Sequence, residues 1–519
     1  MKALGAFQRT RPSSGHRSVT GIRERGDDNP AMSTAASAAQ TPTPAPRASR
    51  RRIAANFLSL AGTSVLGLLI TILINVYVRR ILGPAAIGQV SWAMAAVGYL
   101  TAVVAPGLAT IGQRELARAP ERSQSLVALI LTMQTLLAIG AYGLVVFVAL
   151  LQPRGPTVSL LLLIQGVALF ITAWGNAWVL QAHERMAVPS VAALVLNALQ
   201  LPVLMFAVEG PADIFLYAAL ALPFTFAGVL FNFWYLSRKG LLQPLKLRPT
   251  LRGGGALLRE TWPLALAALA AMVTTNSGTL VLGFTDGDET VGQFSSAFRL
   301  MLVAAVITAA LWNAYFPAFS RSHDNPEEAT ALSREYLRLL AWMGMPIAAL
   351  GWALGRHVVE FLYGPAFAPA GRYFEWLCLA VGLTFVNYGI VATLVPWGRN
   401  HLQFRIVGAA AVVNLALNLA AAPWFGAWGA VAATLASEAL VVVLGVIVRR
   451  RLRLFWHPVL PIVLPPFLCS AAVAAMMVAL PRSLDSLWWL QLAVGAGLLA
   501  LCVVGVERHT LRRLLQRSR

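Results

Sequence analysis

An all-α polytopic membrane protein of about fourteen transmembrane helices is the fold class that this sequence predicts, on three observations. Of its 519 residues, 58% are hydrophobic and only 12% are charged, where a soluble domain carries about 25% charged residues; the mean hydropathy is +0.68. Apolar runs of about 20 residues, the length that crosses a hydrocarbon core, follow one another from Ile53 to Val506. The polar stretches between them are mostly short connections, which leave no room for a sizeable soluble catalytic domain.

Residues 1–52 come first. They are rich in Ala, Ser, Thr, Pro and Arg, with TPTPAP at 41–46, and lack an apolar period. They read as a disordered cytoplasmic tail. No apolar core precedes a cleavage site, so they are not a signal peptide; Met32 is an alternative start. Candidate spans then cover 53–78, 86–111, 124–151, 157–181, 188–208, 213–236, 262–285, 290–318, 339–362, 373–397, 402–424, 427–448, 458–480 and 486–506. The expected organisation is an N-lobe at 53–236, an inter-lobe loop at 237–261, a C-lobe at 262–448, two further helices at 449–506 and a basic cytoplasmic tail at 507–519. Gly and Pro inside the spans, as at Pro202, Pro223, Gly278 and Pro346, mark kinks that transmembrane helices tolerate.

The net charge of +20 would suggest nucleic acid in a soluble protein. Here it is explained by loops that alternate in sign. Basic residues crowd one face, from Arg47 and Arg50–Arg52 through Arg114, Arg185, Arg238, Lys239, Arg334, Arg399 and Arg449–Arg451 to Arg519. The opposite face holds Glu209, Asp213, Asp286, Asp288, Glu289 and Asp485. The exceptions are Arg79, Arg80, Arg154, Arg356, Arg372 and Arg482. The asymmetry places both termini in the cytoplasm of a multi-pass inner-membrane protein, and an even number of spans agrees.

The chain also repeats itself. IGQVSWAM at 87–94 echoes VGQFSSAF at 291–298, and HERMAVPSVAALVLN at 183–197 stands where RNHLQFRIVGAAAVVN recurs at 399–414. Six helices per block give the two blocks the same orientation, and transporters place their substrate between such halves.

Charges inside spans are the residues that can carry chemistry, because each costs about 2.5–3.5 kcal/mol to insert. Arg299 lies about ten residues into the eighth span, Glu438 midway along the twelfth and Glu375 at the start of the tenth. Arg299 is expected to face a hydrated cavity, where a guanidinium meets phosphate bidentately. Glu438 is divided between helix-packing hydrogen bonds and ion coupling, and Arg79 and Arg80 snorkel at a span end. Asn75, Asn276, Asn387, Asn414 and Asn418 read as interhelical hydrogen bonders.

Enzyme signatures fail. The three lysines, Lys2, Lys239 and Lys246, form no phosphate-cradling loop. Asp286-Gly287-Asp288 has a glycosyltransferase-like spacing but reads as an acidic solvated turn, and Gly253-Gly254-Gly255 reads as a flexible linker. Cys378, Cys469 and Cys502 are too few and scattered for a disulfide framework, and no metal site or cofactor is expected.

At this point the motifs resemble a known family. Tyr77-Val78-Arg79-Arg80-Ile81-Leu82-Gly83-Pro84 followed by Ile87-Gly88 is similar to the "ARYLGPEGFG" junction of Wzx-type polysaccharide flippases. Gln113-Arg114-Glu115-Leu116-Ala117-Arg118 resembles their "TREIAR", and Ser296-Ala297-Phe298-Arg299-Leu300 their "AYRL". Leu362-Tyr363-Gly364-Pro365-Ala366-Phe367 resembles "LYGPEY", and residues 426–438 resemble "YGAIGAAIATLISE". Trp397 and Ala85-Ala86 depart from the pattern. The resemblance covers about 53–450 and implies two six-helix lobes in a V around a central cavity, with two C-terminal helices. It implies a non-enzymatic flippase for undecaprenyl-diphosphate-linked oligosaccharide, with membrane lipids, polysaccharide polymerase and glycosyltransferases as partners and no nucleic acid. Arg80 and Arg299 are carried over as substrate-binding residues, with Glu438 and Glu375 as candidates for ion coupling. The alternatives are a peptidoglycan lipid-precursor flippase and, in a different class, a membrane polymerase or glycosyltransferase.

Overall fold

The computed structural model describes residues 50–322, 325–452, 457–481 and 486–517. Residues 1–49 of the expected tail, with Arg453, Arg482 and Asp485, lie outside them. The chain falls into two units, Met1–Ala54 and Ala55–Arg519. Of the first, only the opening of one helix is described. Among the described residues the regular elements are helices, with no strand.

The first helical stretch, α1 (Arg50–Val104), is 55 residues long, about 80 Å at helical rise. That is far too long for one crossing of a ~30 Å core. The interruption is at Gly83 (φ 73°, ψ 173°), followed by Pro84. Glycine reaches this conformation without steric cost, and proline restarts a helix where its missing N–H has no partner anyway. The same device turns the chain at Gly364-Pro365. Among the described residues thirteen helical stretches are long and apolar enough to span a membrane, and one of them, Leu66–Arg118, is 53 residues long. Divided at Gly83, it supplies two crossings and brings the number to fourteen, as expected.

The remaining first-half elements are α2 (Leu108–Arg118), α3 (Ser123–Leu151), a span built from α4 (Pro156–Gly166), α5 (Ala168–Ala173) and α6 (Ala177–Ala182), then α7 (Ala187–Ala207) and α8 (Ile214–Arg238). The second half holds α9 (Gly254–Thr285), α10 (Asp288–Arg321), α11 (Pro326–Tyr363), α12 (Ala368–Ile390), α13 (Asn400–Phe425) and α14 (Ala427–Leu452). Helices α15 (Leu460–Val478) and α16 (Trp488–Arg517) follow. Helix α12 is the most enclosed span and α7 the least, with 72% and 6% of their apolar windows buried; α12 is therefore a core helix and α7 a lipid-facing one.

Three boundaries differ most from expectation. Helix α16 runs on to Arg517, through the segment read as a basic tail. Gly254 and Gly255, read as linker, are the first residues of α9, and only Gly253 takes a left-handed turn before it. Helix α11 starts at Pro326 rather than near 339, capped by Asn325, whose side chain accepts the Glu328 N–H at 3.2 Å. Its first turns are charged, so hydropathy finds only the part that enters the apolar core.

The repeat read from sequence is a physical contact. A Cβ on Gly88 would stand 1.7 Å from the Asp288 carbonyl oxygen, and one on Gly292 would stand 1.8 Å from that of Pro84. Three residues further on, Ser295 Oγ donates to Ser91 Oγ at 3.0 Å. Equivalent positions of the two halves thus meet each other where α1, beyond its break, crosses α10. Gln89 Nε2 donates to Asp288 Oδ2 at 2.7 Å across the same crossing.

Candidate functional site

Behind this crossing lies a cavity of about 410 Å3. Asn75, Arg79, Ser91 and Tyr217 line it from the first half of the chain, and Asn276 and Arg299 from the second. It is the between-halves chamber that the repeat implies.

Arg79 is 6% exposed. Its Nε donates to Ser296 Oγ at 2.9 Å, and one terminal nitrogen donates to Asn75 Oδ1 at 2.7 Å. The guanidinium lies 5.1 Å from the Tyr363 ring centroid, within cation–π range. These contacts fix the fork, and its other terminal nitrogen makes no hydrogen bond among the described residues. Arg299 projects from the first half of α10 with its side chain accessible along the cavity wall. Among the described residues no carboxylate stands within ion-pair distance of Arg79 or Arg299. Two cations therefore share a chamber without a resident counter-charge, an arrangement suited to an entering anion.

Arg80, named with Arg299 from the sequence, is placed elsewhere. It is exposed, and donates to the carbonyls of Phe361 and Leu362 at the C-terminal end of α11, the latter at 2.7 Å. It satisfies the orphan acceptors of a helix end and does not line the cavity. Adjacent helical residues point about 100° apart, and it is Arg79 that turns inward.

Glu438 occupies a side chamber of about 360 Å3 with Thr384, Asn387, Gln403 and Ser437. Asn387 Nδ2 donates to its carboxylate. A smaller void of about 150 Å3 has Glu438, Thr384 and Tyr388 in common with that chamber, and Thr275, Phe298 and Leu302 in common with the cationic cavity. Glu438 and Arg299 thus border a row of adjoining voids. Glu375 does not join them: it packs over Gly355 of α11 and lines none of these spaces. Three of the five asparagines bond across helices as expected: Asn387 to Glu438, Asn414 and Asn418 to Ser277 of α9, and Asn414 also to Ser437 of α14. Asn75 and Asn276 instead bond within their own helices, to Thr71 and Arg79 and to Met272 and Thr275.

Four of the arginines that violate the loop-charge pattern are held by protein contacts. Besides Arg79 and Arg80, Arg154 pairs with Asp288 and lies 4.7 Å from the Trp92 ring centroid. Arg356 stands 3.5 Å from Glu360. Asp288 is therefore committed to the α1–α10 crossing and is not a freely solvated turn residue. No cluster of metal-ligating residues occurs among the described residues. Sequence reasoning missed Arg449, which is 2% exposed and donates to Ser333 Oγ at 2.7 Å. In a run of basic residues nothing marks which one turns inward.

Comparison with known proteins follows this geometry. Residues 53–323 match the family described as "Polysaccharide biosynthesis protein". That is just over half of the chain, in agreement with the motifs, and the chain belongs to this family. The "Putative O-antigen transporter" of Shigella dysenteriae is 25% identical over 379 residues, covering 70% of this chain and 92% of that one. Among solved structures, the Lipid II flippase MurJ in an inward closed conformation superposes with a TM-score of 0.72 at 12% identity, covering 87% of this chain and 99% of that one. An inward-facing multidrug resistance MATE family transporter of the MOP superfamily gives 0.55 at 16% identity, covering 75% and 95%. These two likenesses establish the fold.

Proposed function

We propose that this member of the polysaccharide biosynthesis protein family is a flippase, not an enzyme, that carries undecaprenyl-diphosphate-linked oligosaccharide from the inner to the outer leaflet of the cytoplasmic membrane. The observation that carries the reading is the pair Arg79 and Arg299 in one cavity between the two halves, without a resident carboxylate partner. The printed name of the Shigella relative supports the substrate class.

The physical problem is the diphosphate. Unpaired charge is too costly to enter hydrocarbon, whereas a cationic, partly hydrated cavity lets the head group cross while the polyprenyl tail stays in lipid. An inside-negative potential favours outward movement of negative charge by about 2.3 kcal/mol per charge per 100 mV, so the step does not demand ATP. The Arg79 fork is held by Ser296 and Asn75, and the accessible Arg299 is free to follow the moving phosphate. Glu438 is the candidate for ion coupling, with one void sharing wall residues with both its chamber and the cationic cavity.

Passage requires the cavity to open to one side at a time. The α1–α10 crossing, with Gly88 against Gly292 and Arg154 against Asp288, holds one end shut. On the orientation that the loop charges predict, with both termini cytoplasmic, that is the outer end. The carried oligosaccharide then becomes available to a polymerase or transferase on that side.

The test is depletion of the protein followed by leaflet-resolved analysis of lipid-linked sugars. Accumulation in the inner leaflet is expected. Accumulation of unpolymerised sugar in the outer leaflet would overturn the flippase reading in favour of a polymerase, and accumulation of peptidoglycan precursor alone would transfer the substrate to that lipid.

A further inference from the structure

We propose that the membrane-facing groove between α7 and α8 binds an anionic phospholipid, with an acyl chain along the groove and the phosphate on Arg185 and Lys239. The groove has a volume of about 480 Å3. Its walls are small and aliphatic, with Ala187, Val191 and Val195 on α7 and Ala227 and Phe231 on α8, and Tyr235 closes one end. A lipid-facing helix lined this way offers the cross-section of a hydrocarbon chain and no polar partner along it.

The closed end differs sharply. Arg185 donates to Tyr235 Oη at 2.9 Å, and its guanidinium carbon lies 5.8 Å from the Tyr235 ring centroid. Lys239 Nζ lies 5.9 Å from the same ring, and Arg238 lies 5.8 Å from the Trp234 ring. Three cations gather on two aromatic rings, and among the described residues none of the three forms an ion pair with a carboxylate. The backbone supports the placement. Glu184 adopts a left-handed conformation (φ 59°), rare for a residue with a side chain, and the next N–H, of Arg185, bonds back to the Leu180 carbonyl at 2.8 Å. This tight return brings Arg185 over α8.

Charge complementarity selects the occupant. A basic pocket between transmembrane helices at the interface favours an acidic head group, whereas a zwitterionic lipid brings an ammonium that competes with the same cations. The groove shares no lining residue with the Arg79–Arg299 cavity. A substrate whose phosphates occupy that cavity therefore leaves this second set of cations unused, and a resident phospholipid supplies the missing charge.

The full chain, purified in detergent and offered equal amounts of phosphatidylglycerol and phosphatidylcholine, is to be examined by native mass spectrometry. Preferential retention of phosphatidylglycerol is expected. Arg185→Gln and Lys239→Gln should each weaken it about five-fold, and Val191→Trp, which fills the groove without touching the cations, should release it as well. Equal retention of the two lipids overturns the proposal, as does retention unchanged in the double Gln variant. Release by the charge variants with retention in Val191→Trp reduces the effect to surface charge and also overturns it. Displacement by equimolar undecaprenyl phosphate would make the groove a carrier site, not a phospholipid site.

Discussion

Replacing Gly292 by alanine should unlatch the two halves at their crossing. The added Cβ would stand 1.8 Å from the Pro84 carbonyl oxygen, and real Cβ atoms do not approach other atoms closer than 3.0 Å, so the two backbones must part by about 1.2 Å. Backbone cannot rotate out of the way as a flexible side chain can. The same displacement stretches Ser295–Ser91 from 3.0 Å beyond hydrogen-bond reach. Overpacking costs about 1–3 kcal/mol, and the lost neutral bond adds about 1 kcal/mol. A total of roughly 2–4 kcal/mol against the closed crossing shifts its population by about 30- to 1000-fold. Thr279, which takes no part in the crossing, faces the cavity. A cysteine placed there, in a chain whose Cys378, Cys469 and Cys502 are replaced by serine, reports opening by its reaction with a membrane-impermeant thiol reagent. Labelling should rise strongly in Gly292→Ala and in Gly88→Ala, and export should fall. Gly287→Ala is the control, because a Cβ there meets nothing within 4 Å. Equal labelling in Gly292→Ala and Gly287→Ala would refute the reasoning.

Four further outcomes are expected. Arg299→Ala and Arg79→Ala should each reduce export about ten- to hundred-fold, the worth of a charge-assisted phosphate contact, with the protein still folded in the membrane; full export would remove either residue from the site. Arg80→Ala should instead lower the melting temperature, by freeing the Phe361 and Leu362 carbonyls, and leave export per folded molecule unchanged. Glu438→Gln, which keeps the shape and a hydrogen bond to Asn387, should alter the ion dependence of export; an unchanged rate and ion dependence would exclude coupling there. In the connection before α15, burial first and then Arg449 and Arg334 pull the His457 imidazole down to about 4. The unfolded chain protonates this residue near pH 6.5 while the folded protein keeps it neutral, so stability should fall as pH drops from about 6.5 towards 4. His457→Gln should flatten that part of the melting-temperature profile, and parallel profiles would refute the contribution.

Span number was legible because the requirement for about 20 apolar residues is local and severe. The start of α11 was not, because its first turns are charged and stand outside the hydropathy signal. Arg299 was legible as a charge in mid-span, where insertion cost leaves few explanations. The choice between Arg79 and Arg80 was not. Both end the same half of α1, and only the rotation of that helix against α10 and α11 decides which meets Ser296 and which meets Phe361. Arg449 was hidden for the same reason. Its neighbours Arg450 and Arg451 have the same composition but not its packing against Ser333.

The meeting of Gly88 with Asp288 and of Gly292 with Pro84 has the form of an isologous interface, in which one surface patch is its own partner. A homodimer of a single half would close on this contact, and every substitution in it would act twice. Once the halves share one chain, each side varies alone. Pro84, at the position equivalent to Asp288, records that freedom: only one side carries an acid there, and that acid holds Arg154. Fusion thus allows a symmetric seam to acquire a one-sided lock, which no homodimer of identical halves can encode.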